Sequence, residues 1–160
     1  MIRLATTADA AAICRIYNPF VEGSIVTFEE TPVTPEAMAE RIADIQRTHV
    51  WHVACIDDAV VGYAYAGPWR TRAAYRFAVE TTVYLAPDRA RQGLGRALYT
   101  RLLADLRDMG FHCAMGGIAL PNEASVALHE AMGFVKVAHF REVGRKLDRW
   151  IDVAYWQRAL

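Results

Sequence analysis

The stretch FAVETTVYLAPDRARQGLGRALYTRLLADLRDMGFHCAMGGIAL, residues 77–120, constrains the fold more than any other part of the chain. FAVETTVYL is rich in β-branched and aromatic residues and reads as a strand. Leu94, Leu98, Leu102, Leu106 and Met109 then recur at the spacing of one helix face, and Gly110 is placed to end that helix in a left-handed cap. CAMGGIAL reads as a second strand. Strand, helix and strand in this succession form a crossover, which joins parallel strands and needs apolar cover on both sheet faces.

The rest of the chain supplies that cover. IRLA reads as a first strand, and Ile13, Ile16, Tyr17 and Phe20 share one helical stripe. SIVTFEETPV is a loop of extended character. Thr34 and Pro35 open a second helix as cap and first residue, with Met38, Ile42 and Ile45 on its apolar face. VWHVACI and VVGYAYAGPW flank Asp57 and Asp58 as hairpin arms. NEASVALHEAM is a helix whose apolar stripe is Ala124, Ala127, Leu128 and Ala131, and GFVKVAHFREV pairs with RWIDVAYWQRAL as closing strands. The expected order is βααβββαβαββ: an α/β fold, one domain over residues 1–160, with a mixed twisted sheet flanked by helices on both faces.

Composition excludes several classes. The chain is 54% hydrophobic and carries 18 basic against 18 acidic residues, so it lacks the basic excess of a nucleic-acid or membrane-surface protein. The start shows no signal-peptide core, and no run approaches the ~20 apolar residues of a membrane span. Cys14, Cys55 and Cys113 sit in apolar patterns and read as three buried, reduced thiols, which suits the cytoplasm. The histidines are scattered, and His49 and His52 straddle a helix-to-strand boundary, so no metal site is expected. Trp51, Trp150 and Trp156 read as core or interface aromatics.

The junction RARQGLGRAL invites a phosphate-binding reading. Leu98 stands where a dinucleotide fingerprint needs its third glycine, and no Gly-Lys-Ser/Thr of a P-loop is present. General physics remains: amides at a helix N-terminus, bare of Cβ atoms at Gly93 and Gly95, can approach an anion, and Arg91 and Arg96 add charge. An ordinary tight turn between strand and helix is the competing reading.

This turn, following VYL and followed in the next strand–helix unit by Asn122, resembles the acetyl-CoA signature of the GNAT superfamily of N-acetyltransferases. Ala90 stands where the superfamily pattern opens with Gln or Arg. The segments IYN, TFEETPV, GYAYAGPWRTRAAYRFAVETTVYL, IALPNEASVALHEAMGF and VGRKLDRWIDVAYWQ are similar, in order, to the phosphinothricin and methionine sulfoximine N-acetyltransferase family. The resemblance implies a GNAT fold with acetyl-CoA as co-substrate and no metal. It implies that amides of Arg91, Gln92, Gly93, Leu94, Gly95 and Arg96 hold the pyrophosphate. The edge Val83, Tyr84, Leu85 would pair with the pantetheine arm, with Asn122 and Ser125 assigned to the same site.

Acetyl transfer to nitrogen needs a base for the amine and an acid for the leaving thiolate. Glu80 lies mid-strand on the face shared with Ala78, Thr82 and Tyr84, where a carboxylate is either a solvated charge or a base. The resemblance makes it the general base. His129 stands where many relatives carry a tyrosine acid, and as an imidazolium it would protonate the thiolate; the bland alternative for Asn122, Ser125 and His129 is a solvated helix face. In GPWRTRAAYRF, Arg70, Thr71, Arg72, Tyr75 and Phe77 form a basic, aromatic loop: an acceptor pocket or merely a solvated loop. With the resemblance, Arg72 is the preferred clamp for an acceptor carboxylate, Arg70 the second, and Phe28 a further wall. The expected activity is direct acetyl transfer to the α-amine of a small amino-acid-like acceptor of phosphinothricin, methionine sulfoximine or methionine sulfone type, by a cytoplasmic homodimer. Rivals are an acetyltransferase for a peptide N-terminus and a non-catalytic acyl-CoA sensor.

Overall fold

The structure, a computed structural model, describes residues 1–160. Seven strands form one sheet in the order β1-β2-β3-β4-β5-β7-β6. They are β1 (Ile2–Leu4), β2 (Trp51–Ile56), β3 (Ala59–Pro68), β4 (Ala78–Leu85), β5 (Cys113–Ala119), β6 (Val135–Lys146) and β7 (Arg149–Ala159). Four helices cover it: α1 (Ala10–Gly23), α2 (Pro35–Ile45), α3 (Leu94–Asp108) and α4 (Glu123–Ala131). The order matches the sequence expectation. Short 3₁₀ turns at Thr7–Asp9, Ala73–Tyr75 and Pro87–Arg89 were not expected.

Local chemistry explains the boundaries. The Thr34 hydroxyl accepts the Ala37 amide at 3.1 Å and Pro35 pre-sets the first turn of α2. Asp57 and Asp58 take left-handed φ of 48° and 63° to close the β2–β3 hairpin, a turn that acidic side chains tolerate. Gly110, at φ 89°, ends α3 as expected.

Helices cover both faces. Leu98, Tyr99, Leu102 and Leu106 of α3 pack on Val79, Ala66 and Trp156. Ile13, Tyr17 and Val21 of α1, with Met38 and Ile42 of α2, pack on Trp51, Val53 and Tyr63. Truncating one such fully buried leucine or isoleucine to alanine costs about 2–5 kcal/mol.

One join is weak, and it positions the site. Every neighbouring strand pair is antiparallel except β4–β5, whose register stops after Ala78↔Cys113, Val79↔Ala114 and Glu80↔Met115. Beyond Glu80, β4 stays with β3 down to Leu85↔Gly62, and β5 stays with β7 down to Ala119↔Val153. The sheet is split there.

Two expectations need correction. Ala124, Ala127 and Ala131 of α4 are exposed, whereas Ser125 is half-buried and His129 is only 3% exposed. The helix presents its polar stripe inward because Gly116 of β5 lacks a side chain: a Cβ there would meet the His129 Nε2 at 2.5 Å. The three cysteines are free, but Cys113 is only half-buried, lying at the open start of β5.

Candidate functional site

Glu80 is the last residue of β4 paired to β5, so its carboxylate stands at the fork of the split on the α1/α2 face. It is half-buried and no protein group donates a hydrogen bond to it. Burial raises its pKa, and the nearby Arg70 charge pulls in the opposite direction. Gly117 of β5 makes room beside it. A Cβ at that position would lie 2.8 Å from the Tyr155 ring and 3.3 Å from Glu80 Oε1.

Aromatic rings wall this side. Tyr155 of β7 lies across the ladder from Gly117, and burial followed by the Glu80 charge raises its pKa. Trp69 meets Tyr155 edge to face at 5.2 Å, and the Arg70 guanidinium lies 4.0 Å over the Trp69 ring. Phe140 approaches Tyr155 at 6.1 Å. Phe28, 43% exposed, rests its ring on the bare face of Gly144. A carboxylate, a guanidinium and several rings thus converge where a small zwitterion has matching groups.

Not every expected residue joins them. Thr71 and Arg72 are exposed, and the Arg72 side chain has no protein partner; Arg70 is the loop arginine coupled to Glu80. Tyr75 and Phe77 line a separate depression of about 480 Å³ with His112 and Cys113. A larger one, about 580 Å³, runs along α1 and contains none of the candidate residues.

The opposite face of the split is sealed. His129 Nδ1 lies 2.7 Å from the Ser125 carbonyl, which can only accept, so Nδ1 carries the proton. Nε2 then faces the Tyr99 hydroxyl at 2.9 Å, and that hydroxyl also reaches Thr81 Oγ1 at 3.2 Å. Thr81 in turn donates to the Met115 carbonyl at 3.3 Å. Burial lowers the His129 pKa, which favours a neutral ring over the expected imidazolium. Burial raises the Tyr99 pKa, keeping its proton in place.

At the glycine turn, the first α3 bond outside the regular ladder runs from the Ala97 amide to the Gly93 carbonyl at 3.0 Å. The amides of Leu94, Gly95 and Arg96 precede it and are orphan donors at the positive helix end. Gly93 takes φ 77° with open space where a Cβ would be, and Arg91 is itself left-handed at φ 64°. Gly95 behaves differently from the expectation. It is buried, and a Cβ would stand 3.2 Å from Leu128, so this glycine lets α3 approach α4. Arg91, Gln92 and Arg96 are exposed around the turn. Val83, Tyr84 and Leu85 form the β4 edge that turns away from β5. Asn122 caps α4 by accepting the Ser125 amide at 3.1 Å, which leaves its side-chain NH₂ free to donate. Orphan amides, a free strand edge and a donor along one split fit an acyl-CoA.

Tyr155, Gly116, Gly117, Tyr99 and Thr81 were missed as site residues. The paired glycines inside CAMGGIAL were the available signal, since glycine within a strand marks close approach of another group.

Residues 2–155 match the family model described as an acetyltransferase (GNAT) domain. The chain is 44% identical over 157 residues to a phosphinothricin N-acetyltransferase of Streptomyces viridochromogenes, covering 98% of this chain and 86% of that protein. It is 36% identical over 160 residues to an L-methionine sulfoximine/L-methionine sulfone acetyltransferase of Salmonella typhimurium, covering 99% and 94%. Among solved structures, a GNAT superfamily phosphinothricin acetyltransferase of Sinorhizobium meliloti in complex with acetyl-CoA superimposes with a TM-score of 0.97. Identity is 38%, covering 100% of this chain and 88% of that one.

Proposed function

The chain belongs to the GNAT acetyltransferase family, and on that premise we propose that it transfers acetyl groups directly to the α-amine of a small amino-acid-like acceptor. It is an acetyl-CoA-dependent N-acetyltransferase. The names of its relatives point to phosphinothricin, methionine sulfoximine and methionine sulfone as acceptors to try. The observation that carries the reading is Glu80: a half-buried carboxylate without protein donors, its pKa raised, at the fork of the split.

In this reading Glu80 accepts a proton from the acceptor amine, directly or through water. Arg70 or Arg72 holds the acceptor carboxylate in a two-pronged pairing, while Phe28, Trp69 and Tyr155 exclude water. The amides from Arg91 to Arg96 hold pyrophosphate, the Val83–Leu85 edge takes the pantetheine amides, and Asn122 and Ser125 line the same groove. His129, hydrogen-bonded to the Tyr99 hydroxyl, stands on the sealed side of the leaving sulfur. Direct transfer is favoured because Cys14 and Cys55 are buried, and Cys113 has no base hydrogen-bonded to it. The whole chain acts as one catalytic domain, and its reduced thiols suit the cytoplasm.

Two copies are proposed to pair. β6 is a long edge strand, and Val135, Val137, Phe140 and Val143 on it are at least 50% exposed, as are Leu147 and Trp150 beyond it. An exposed apolar edge of this kind calls for a partner strand. Sedimentation of the purified chain as a monomer at micromolar concentration would remove the dimer from the account. A thiol-release assay across free amino acids, the three named analogues and their amides tests the activity. Turnover of the free acids is expected; acetyl-CoA binding with no release for any acceptor would make the protein a sensor instead.

A further inference from the structure

The loop between α1 and α2 crosses the sheet on the Glu80 face and spans the split. Ile25 is buried with Ala119 of β5 and Ile151 of β7. The Val26 carbonyl accepts from the Tyr84 hydroxyl of β4 at 3.4 Å, and Phe28 covers Gly144 of β6. One short strap therefore touches strands on both sides of a gap that β4 and β5 no longer bridge.

The strap is anchored from either side of Phe28. The Tyr17 hydroxyl lies 2.7 Å from Thr27 Oγ1 and also bonds Glu29, and Arg41 of α2 grips the Glu29 carboxylate through two bonds of 2.9 and 2.6 Å. The last anchor is unusual. Lys146, the final residue of β6, is only 4% exposed, and its Nζ donates to the Thr27 carbonyl at 2.8 Å and the Phe20 carbonyl at 3.3 Å. Phe20 lies in the last turn of α1, where carbonyls carry partial negative charge. No carboxylate pairs with Lys146 directly; Glu29 and Glu30 act on it only from a distance, and burial prevails to lower its pKa. A buried ammonium held by main-chain oxygens is costly, and a methionine would fill the space more cheaply. Its use lies in what it connects: the end of α1 and the strap to the closing hairpin.

We propose that Lys146 is a positioning residue for acceptor binding: by tying the Phe20 and Thr27 carbonyls to β6, it fixes the strap across the split and with it the Phe28 ring. This rests on the acceptor site described above.

The test uses Lys146→Met, Lys146→Arg and Gly144→Ala in the full chain. Hydrogen exchange is read over residues 24–30, and kinetics are run with methionine sulfone varied. In Lys146→Met, exchange of the strap and the acceptor KM should each rise roughly tenfold, the scale of losing charge-assisted bonds, with kcat and the acetyl-CoA KM held within about twofold. Lys146→Arg, which keeps donors and charge, should recover most of the loss. Gly144→Ala keeps the lysine and displaces only the ring, so it should raise the acceptor KM without loosening the strap. Unchanged exchange in a folded Lys146→Met chain overturns the tie. Faster exchange with an unaltered acceptor KM overturns the link to binding. If Lys146→Met does not fold, Lys146→Gln, a donor without the charge, must show intermediate exchange or the tie fails. If the unaltered chain turns over no amino-acid analogue, the acceptor reading falls while exchange still decides the tie.

Discussion

The two faces of the split sheet are built on opposite terms. On the α1/α2 face, Glu80 has no protein donor, Tyr155 and Phe28 are partly exposed, and the loop arginines are solvated. On the α3/α4 face, His129, Tyr99 and Thr81 are buried and linked by hydrogen bonds into one chain. The first face has unsatisfied capacity and can take a partner; the second has little left to offer. A group that must gain a proton from a changing acceptor belongs on the open side. In the proposed reaction the buried chain meets only the leaving sulfur, the same in every cycle, and so can be sealed.

The sharpest way to break this contrast is Glu80→Gln. The open face should lose kcat by roughly 10²–10⁴, the usual worth of a positioned base, with acetyl-CoA affinity unchanged by calorimetry. Because burial raises the Glu80 pKa, protonation favours the folded chain, and stability falls as pH rises through that value. The glutamine variant should therefore melt slightly higher at neutral pH, by about 1–3 °C. Unchanged turnover, or a lower melting point, removes the strained base.

Next in size is the acceptor clamp. Amidating the acceptor carboxylate should cost roughly 10- to 150-fold in kcat/KM, the range of a hydrogen bond to a charged group. Of Arg70→Ala and Arg72→Ala, only the variant that has lost the clamp should treat acid and amide alike, and the double-mutant coupling identifies it. Arg70, whose guanidinium lies 4.0 Å over the Trp69 ring that meets Tyr155, is the expected clamp. Equal losses on acid and amide in both variants would make the loop arginines structural.

On the sealed face, His129→Phe should slow the chemical step by about tenfold, less than the base variant because a thiolate leaves readily. A more acidic thiol should be affected less. The lowered His129 pKa means that the unfolded chain binds the extra proton, so its stability contribution is full above the ordinary histidine value and is lost as pH falls. The variant should flatten the acid limb of a melting-point profile. A profile unchanged between pH 5 and 7 contradicts the neutral buried ring.

The smallest effect belongs to Gly93→Ala. No protein atom lies within 4 Å of the added Cβ, so the cost is left-handed strain of about 1 kcal/mol plus hindrance at the pyrophosphate. Acetyl-CoA affinity should drop several-fold while acceptor affinity holds; wild-type cofactor affinity in a folded variant would exclude the turn from the site.

The order of elements was legible because helix and strand periods depend only on near neighbours: Leu94 to Leu106 and FAVETTVYL declare themselves locally. The orientation of α4 was not. Its alanines look apolar and its histidine polar, yet the bare Gly116 on a different element decides which side goes inward. Glu80 and the glycine turn were singled out through resemblance, and their proposed roles rest on it. Tyr155 was not, because its place opposite Gly117 is a matter of strand register. Lys146 was the least readable, since its partners Phe20 and Thr27 lie more than a hundred residues away.

The brief β4–β5 pairing also bears on how the molecule holds together. With only three residue pairs joining β1–β4 to β5–β7, the sheet is two plates sharing a short seam, reinforced by α3 and the strap. Elements joined by so few contacts are where proteins in general open locally, each unit with its own free energy of opening. A molecule bound in the split touches both and acts as a keystone. At a concentration a hundred times its Kd it adds about 2.7 kcal/mol to the stability of the whole. If acetyl-CoA lies in the split, as proposed, it is a structural member as well as a co-substrate.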